Sequence, residues 1–448
     1  MPPDTTAPSQ PAVSTIPPAR PSLRAAFWLA LLGPVFFLSY GFANIHTSRL
    51  KDVPSVYFEW ERHIPFIEWT ILPYMSIDAF YAASLFLCNT RRELDTHAMR
   101  LLAATIISVT GFLLFPLKFA FLRPPMEGFS GILFAMLNDF DMPYNQAPSL
   151  HVSLLMLLWC IYARHLKAPA RWWVHGWFAL IGLSVFTTYQ HHFIDGVTGV
   201  AVGVFCFYLF PDEPFRWSRD GAPISGRRIL LATAYLTGAG LCIGLATLAG
   251  GWMGLLCWPA LSLCMVSLAY AGLGVSVFQK HCERSNWPAR IVLAPYLTGA
   301  WLSSRYLSRG IAASHEIIPG LWIGRAPGRG DWAHLDAGSV LDLTAECVAS
   351  PQARLRHYRC TPMLDLTAPT AGQLRHALSA LDALRAHPPV LVHCALGYSR
   401  SAVVVAAWLM RHGKAANVIE AIAMVRACRP DVLIRDDCLA VLKDLQHV

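Results

Sequence analysis

The chain has 448 residues, of which 55% are hydrophobic and only 14% are charged. Soluble domains carry about 25% charged residues, so this composition excludes an ordinary soluble protein and indicates an integral membrane protein. The formal net charge of +8 comes from basic residues beside apolar segments, which indicates a membrane-topology signal and not nucleic-acid binding.

The N-terminal part of the chain predicts a disordered tail followed by a polytopic all-α membrane bundle. Residues 1–24 are rich in proline, serine, threonine and alanine, a composition typical of disorder. Residues 25–212 contain six of about eight segments long enough to be transmembrane helices, and residues 213–284 contain two more. The segments are 25–44, 65–88, 100–121, 148–163, 172–190, 193–210, 229–249 and 252–277.

Basic residues in alternate connections predict the orientation of this bundle. The positive-inside rule places both termini in the cytoplasm, in a multi-pass protein of the inner (plasma) membrane. It places the connections at 45–64 and 122–147 on the outer face.

After the last apolar segment the pattern changes twice. Residues 285–314 contain a broken apolar stretch at 291–302, which predicts an interfacial linker, with a re-entrant hairpin as the alternative. Residues 315–448 alternate short strand-like runs with helical patterns, which predicts a small α/β domain.

Polar side chains gather at the predicted outward ends of segments three to six. Asp195 follows His191 at i,i+4 spacing, so on a helix its carboxylate could hold the imidazole in one tautomer, as a usable nucleophile at phosphorus. By spacing alone, His192 is an alternative to His191. A further histidine could protonate a leaving oxygen, and two cations could neutralise phosphate oxygens. These three residues are His151, Arg123 and Lys118.

Two of these motifs carry a family resemblance over about residues 60–212. The run Pro-Ser-Leu-His ending at His151, and His191 with Asp195, resemble motifs of the type 2 phosphatidic acid phosphatase (PAP2) superfamily. They are most similar to its inositol phosphorylceramide and sphingomyelin synthase branch, which passes a phosphoryl head group to a lipid alcohol. The resemblance implies that His191 is the nucleophile, Asp195 its orienting partner and His151 the general acid.

The stretch 391–401 is the strongest chemical signal in the chain. An apolar run that reads as a buried strand ends at Cys394, and Arg400 follows just before a helical pattern. Such a loop directs backbone N–H groups inward at a helix N-terminus, an environment that favours a thiolate over a thiol. An arginine there can hold two phosphate oxygens.

This stretch resembles the signature loop of the cysteine-dependent dual-specificity phosphatases, and the resemblance covers about residues 315–448. It implies that Cys394 is the nucleophile, Arg400 the phosphate clamp and Ser401 the hydroxyl that assists breakdown of a phosphocysteine intermediate. The family places an acid about thirty residues upstream, where Asp365 fits, with Asp342 and Asp382 as rivals. Phosphate binding is also predicted for other residues in or beside the loop, which are His393, Gly397 and Ser399.

The sequence therefore predicts a multi-domain, bifunctional membrane enzyme. Its membrane half would transfer or hydrolyse a lipid phosphate at the outer face, and its C-terminal half would hydrolyse a phospholipid or phosphoinositol monoester in the cytoplasm. Neither reaction is expected to need a cofactor or a metal, and membrane lipids are the expected substrates. The alternative is a protein tyrosine or serine phosphatase regulated by a membrane domain that senses lipid phosphate.

Overall fold

The computed structural model describes residues 20–281 and 286–446. The chain divides into two compact units, Met1–Pro214 and Phe215–Val448. The second unit contains two long apolar helices, the linker and the α/β domain, so the described residues after Pro214 form one compact unit and not the three separate regions that the sequence predicts.

The first unit is helical throughout its described part. It contains seven α-helices: α1 Ser22–Ser48, α2 Ile71–Leu87, α3 Arg91–Leu114, α4 Gly128–Phe140, α5 Leu150–His165, α6 Ala170–Thr187 and α7 Phe193–Leu209. Each of the six predicted apolar segments is a helix, although their ends differ from the prediction. Helix α1 begins inside the predicted 1–24 tail, of which residues 1–19 lie outside the described part.

The structure of this unit differs from the prediction at the end of the third segment and in the connection that follows it. The third segment was predicted to run to residue 121, but α3 ends at Leu114, because Pro116 cannot continue a helix. At its other end, Thr90 caps α3 by accepting a hydrogen bond from the N–H of Glu93. The predicted connection at 122–147 is not all loop, since it contains the 13-residue helix α4.

Length and hydropathy identify five candidate membrane spans in the described residues: Ser22–Ser48, Glu68–Leu87, Arg91–Leu114, Gly226–Ala249 and Gly251–Phe278. Three shorter apolar helices accompany them: Gly128–Phe140, Leu150–His165 and Phe193–Leu209. The helical character of the predicted membrane region is therefore confirmed, while its membrane placement and the number of eight spans stay predictions.

The second unit begins with a helical hairpin, made of α8 Gly226–Ala249 and the returning segment Gly251–Phe278, which includes α9 Cys257–Leu268. The linker forms two helices, α10 Trp287–Val292 and α11 Ala294–Leu307. The Trp258 indole of α9 donates to the Ile291 carbonyl of α10 at 2.9 Å. The linker thus packs on the hairpin, and its interfacial or re-entrant placement stays a prediction.

A five-stranded sheet organises the α/β domain. Its order is β1-β2-β5-β3-β4, with β1 antiparallel to β2 and the other neighbours parallel. The carboxyl ends of β3, β4 and β5 therefore meet at one edge, where the loops after them come together. The strands are β1 Ser314–Ile318, β2 Leu321–Arg325, β3 Ser339–Thr344, β4 His357–Met363 and β5 Val390–Cys394.

Helices pack around the central strand β5 of the sheet. Every residue of β5 is buried, as expected for an apolar strand between two neighbours. Helix α14 begins directly after the β5 loop and buries most of its length in the domain core. The five helices are α12 Pro351–Arg354, α13 Ala371–Leu384, α14 Arg400–Arg411, α15 Val418–Cys428 and α16 Asp436–Gln446.

A buried ion pair joins the end of the hairpin to the sheet. The Nζ of Lys280 lies 2.7 Å from Asp342 Oδ2 and donates to the Thr344 carbonyl at 2.6 Å. Burial alone would raise the pKa of the Asp342 carboxyl, but Lys280 and His393 hold that pKa well below its ordinary value. The hairpin therefore supplies the cation that keeps this β3 carboxylate charged.

Lys280→Met is expected to lower the free energy of unfolding by about 3–5 kcal/mol, because it leaves a buried carboxylate without its cation. Asp342 has a depressed folded-state pKa, so the pair stabilises the protein above the ordinary carboxyl pKa of about 4 and less as pH falls below it. Unfolding of the purified protein in detergent, followed at pH 7 and pH 3, measures both effects. The exposed Lys443→Met is the matched control. A Lys280→Met protein as stable as this control at pH 7 would contradict the prediction.

Candidate active sites

The cysteine site is built on the loop between β5 and α14. The Cys394 side chain is buried, and its Sγ accepts a hydrogen bond from the Gly397 N–H at 3.2 Å. The Ser401 hydroxyl lies 3.4 Å from the same sulfur. Gly397 has φ +75°, and a Cβ there would lie 2.5 Å from the Gly324 carbonyl, so only glycine fits this turn. The loop thus places one backbone donor and one hydroxyl beside the sulfur.

Arg400 is held in place by a carboxylate that the sequence analysis missed. Its Nη1 donates to Glu346 Oε2 at 2.9 Å and to the Met363 carbonyl at 3.0 Å, and its Nη2 contacts the other Glu346 oxygen. Burial alone would lower the pKa of Arg400, but the carboxylates of Glu346 and Asp365 hold it well above its ordinary value. The buried Nε has no partner in the described residues and is free to bind a phosphate oxygen.

The three candidates for the general acid lie in different environments. Asp365 follows β4, its Oδ1 lies 3.1 Å from Arg400 Nη2, and its side chain is 39% exposed, so it can reach a leaving oxygen. Asp342 is buried beside Lys280, and Asp382 accepts from the Trp408 indole at 2.8 Å. Of the three carboxylates, Asp365 is the one beside Arg400, and its role as the proton donor stays a prediction.

Two buried residues, His393 and Arg429, lie against the loop. His393 was predicted to bind phosphate, but it is buried beneath the loop and pairs in register with Asp342 on β3. Burial lowers the pKa of the His393 imidazole. Arg429, which the sequence analysis missed, is fully buried and donates to the Leu396 carbonyl at 3.0 Å. Ser399 directly precedes α14.

This arrangement can catalyse displacement at phosphorus in two steps. The Cys394 sulfur would form an S–P bond while the P–O bond to the leaving group breaks and Asp365 supplies the proton to that oxygen. Arg400 and the loop N–H groups would hold the non-bridging oxygens. Water would then attack phosphorus and pass a proton to the Asp365 carboxylate while the S–P bond breaks, which releases phosphate and the Cys394 sulfur, with Ser401 placed to donate a hydrogen bond to that sulfur.

The histidine cluster of the first unit has a different geometry from the predicted one. His191 Nδ1 and Asp195 Oδ2 are 3.6 Å apart. The expectation that both lie on one helix is wrong, because α7 begins at Phe193. The helix begins there since Asp195 Oδ2 caps it, accepting the His192 N–H at 2.8 Å. His191 therefore lies on the preceding turn, beside the cap.

The structure distinguishes the two adjacent histidines. His192 Nδ1 lies 2.9 Å from Glu61 Oε2, and its Nε2 accepts the Ala120 N–H at 3.1 Å. Both ring nitrogens of His192 are therefore engaged in structural contacts. The His191 Nδ1 forms no hydrogen bond with a described residue and lies 3.6 Å from Asp195 Oδ2, so this ring lacks the hydrogen bonds that hold His192, and its role as nucleophile stays a prediction.

His151 and Arg123 lie with this cluster. The Ser149 N–H donates to the Asp195 carbonyl at 3.0 Å, which joins the start of α5 to the start of α7. His151 stacks on Tyr74 with ring centroids 4.1 Å apart, and its buried Nε2 is unpartnered in the described residues. Arg123 donates to the Tyr189 carbonyl at 3.2 Å, two residues before His191.

Lys118 is not part of these contacts. Its side chain is exposed and forms no hydrogen bond or ion pair with any described residue, so its role in phosphate binding stays a prediction. Asp141, which was not among the residues predicted from the sequence, is buried and accepts from the Tyr40 hydroxyl at 2.7 Å and the Tyr74 hydroxyl at 3.3 Å. Asp141 and His151 line one cavity of about 220 Å³, walled also by Phe36 and other apolar side chains.

Comparisons with known proteins assign the class of the C-terminal domain. Residues 331–447 match the family model of the dual specificity phosphatase catalytic domain. No curated protein matches the chain. The domain is therefore a dual-specificity phosphatase domain, which indicates a phosphatase acting on phosphoesters. The family match does not extend to the first unit, whose resemblance to the PAP2 superfamily stays a prediction.

Solved structures similar to this chain include three phosphatases. Tk-PTP in its active form is 27% identical and covers 31% of this chain and 98% of its own, with a TM-score of 0.29. PTPMT1 in complex with PI(5)P is 25% identical and covers 30% and 95%, with a TM-score of 0.28. Human DUSP28 is 25% identical and covers 30% and 95%, with a TM-score of 0.27.

Proposed function

We propose that the protein is a bifunctional membrane phosphatase and phosphotransferase that acts on lipid phosphates. The cysteine site hydrolyses a phosphomonoester of phospholipid or phosphoinositol type, on the cytoplasmic side of the inner (plasma) membrane. The histidine cluster transfers or hydrolyses a lipid phosphate at the outer face, with His191 as nucleophile, Asp195 as its partner and His151 as acid.

One cavity in the second unit carries the proposal of a lipid substrate for the cysteine site. It has a volume of about 530 Å³ and touches both Asp365 and Ala395, the residue after Cys394. Further walls come from the hairpin and from α11, and include Leu263, Tyr296 and Leu307. Because the hairpin helices are candidate membrane spans, an acyl chain is the occupant that these walls favour.

A neighbouring cavity supports an anionic head group. It has a volume of about 470 Å³, shares Glu346 and Ala395 with the first cavity, and is lined by Arg290 and Arg305. Arg290 forms no ion pair with a described carboxylate, so its charge is available to a ligand. A substrate with an apolar part and further negative charge beside its phosphomonoester would use both cavities.

Unpaired polar atoms support the proposal for the membrane half. Buried atoms without a partner in the described residues include His151 Nε2, His191 Nδ1 and Asp195 Oδ1. Buried polar groups normally have partners, so such a cluster is typical of a ligand site. The guanidinium of Arg123, beside Tyr189, brings positive charge to it.

Gly299→Trp tests the lipid-binding cavity. Gly299 lines the cavity and a Cβ there would meet no atom within 4 Å, so a side chain can be attached without displacing the backbone, and we expect the indole to occupy the cavity. We expect the KM for a long-chain lipid phosphomonoester to rise about 10-fold or more, since several buried CH₂ groups lose their site. Turnover of nitrophenyl phosphate, which needs no acyl site, should stay within about 2-fold of the unmodified protein.

Gly244→Trp is the matched control, because Gly244 also has open space around its Cβ and does not line the cavity. An unchanged lipid KM in Gly299→Trp would contradict the proposed acyl site. Equal losses with both substrates would mean that the substitution damages the cysteine site itself.

A further inference from the structure

The acid loop of the cysteine site has a backbone that needs support. Asp365 carries the proposed general acid, and the next residue, Leu366, has φ +57°. This left-handed conformation is unfavourable for a residue with a branched side chain. The Leu366 side chain is exposed, so packing of that side chain does not hold the loop.

Two side chains of the hairpin bind the two carbonyls at this point. The Tyr270 hydroxyl donates to the Asp365 carbonyl at 3.1 Å, and the Arg227 Nε donates to the Leu366 carbonyl at 2.9 Å. Both donors lie within the hairpin and far from the loop in sequence. The backbone carbonyls of both Asp365 and Leu366 are therefore hydrogen-bonded to side chains of the apolar helices.

Tyr270 is itself firmly placed. It is fully buried and stacks on Tyr235 with ring centroids 5.5 Å apart. Arg228 donates to the Tyr270 carbonyl at 3.0 Å and pairs with Asp220 at 2.7 Å. A rigid donor of this kind can fix the loop that it binds.

We propose that Tyr270 and Arg227 are positioning residues for the general acid Asp365, so that the membrane hairpin completes the cysteine site. The inference rests on the proposed cysteine chemistry and names a part of its machinery outside the phosphatase domain. Proton transfer requires Asp365 to lie within hydrogen-bond reach of the leaving oxygen. If the acid loop were not held in place, the site would keep Cys394 and Arg400 but would lose Asp365 as its proton donor.

The test uses the full chain in detergent and two substrates that differ in their need for an acid. Nitrophenyl phosphate has an activated leaving group, whereas the glycerol of glycerol phosphate leaves as an alkoxide unless its oxygen is protonated. Tyr270→Phe and Arg227→Ala should each lower kcat on glycerol phosphate by about 10-fold, and their combination by about 100-fold, the scale of a lost general acid. On nitrophenyl phosphate all three should stay within about 2-fold of the unmodified protein.

Two matched controls separate positioning from general damage. Tyr306→Phe removes an exposed tyrosine hydroxyl, and Arg219→Ala removes an exposed arginine near the hairpin. Neither residue contacts the acid loop, so both variants should behave as the unmodified protein on both substrates. Arg227 is exposed, so Arg227→Ala carries the test even where Tyr270→Phe loses stability.

The same substitutions are then made in a protein that already carries Asp365→Asn. If the two residues act through Asp365, adding Tyr270→Phe or Arg227→Ala to Asp365→Asn should cause no further loss on glycerol phosphate. A further loss there, or equal losses on both substrates, would overturn the positioning role. An unmodified protein inactive on both substrates would instead overturn the proposed cysteine chemistry.

Discussion

Cys394→Ser is expected to abolish phosphomonoester hydrolysis at the cysteine site, with at least about a 1,000-fold loss of turnover on nitrophenyl phosphate. A serine hydroxyl stays protonated at neutral pH and is a far weaker nucleophile than a thiolate. The hydroxyl is about as large as the thiol and can keep the contacts with the Gly397 N–H and the Ser401 hydroxyl, so the loop should remain folded.

Turnover and trapping of a phospho-enzyme by acid quench measure this effect together. Cys428→Ser is the control, because Cys428 lies at the end of α15 and outside the loop. The control should keep both its turnover and its phosphocysteine. A Cys394→Ser protein with unmodified turnover would show that the hydrolysis uses another nucleophile.

His191→Ala is expected to remove phosphoryl transfer from a lipid substrate and to spare hydrolysis of nitrophenyl phosphate at Cys394. The loss should be at least about 1,000-fold, since the variant lacks the atom that attacks phosphorus. Asp195→Asn should have a smaller effect, because it weakens the orientation of the imidazole and keeps the nucleophile. Both half-reactions are measured in detergent at matched protein amounts.

The exposed His63→Ala is the control for this prediction, and it should keep both activities. His192→Ala should act differently from His191→Ala, because it removes the contacts with Glu61 and the Ala120 N–H and so lowers stability. Loss of both half-reactions in a well-folded His191→Ala protein would defeat the model of two independent sites.

The central part of the cysteine site could be predicted because it is local in sequence. Cys394, Arg400 and Ser401 belong to one strand, loop and helix, and an apolar run followed by a helical pattern predicts that unit. Asp365 could be suggested only by its distance along the chain. Its place 3.1 Å from Arg400 depends on β4 and β5 ending at the same edge of the sheet.

The contacts that hold the site could not be predicted in the same way. Glu346 binds Arg400 from 54 residues away, and Glu61 binds His192 from 131 residues away. Neither carboxylate lies in a motif, and periodicity carries no information about which distant side chain will meet an arginine or a histidine. The sequence therefore left His191 and His192 as alternatives until the partners of each ring were visible.

Composition, apolar segment length and the Cys394–Arg400 loop were enough, by themselves, to determine a region of long apolar helices followed by a small α/β phosphatase domain. These features depend on hydrophobic burial and short-range backbone geometry, which neighbouring residues encode. Only the tertiary structure decided that Lys280, just after the hairpin, binds the sheet, and that Tyr270 and Arg227 of the hairpin bind the acid loop. Such contacts form when segments distant in sequence pack together, and the residues next to a side chain in sequence do not determine its partner on another segment.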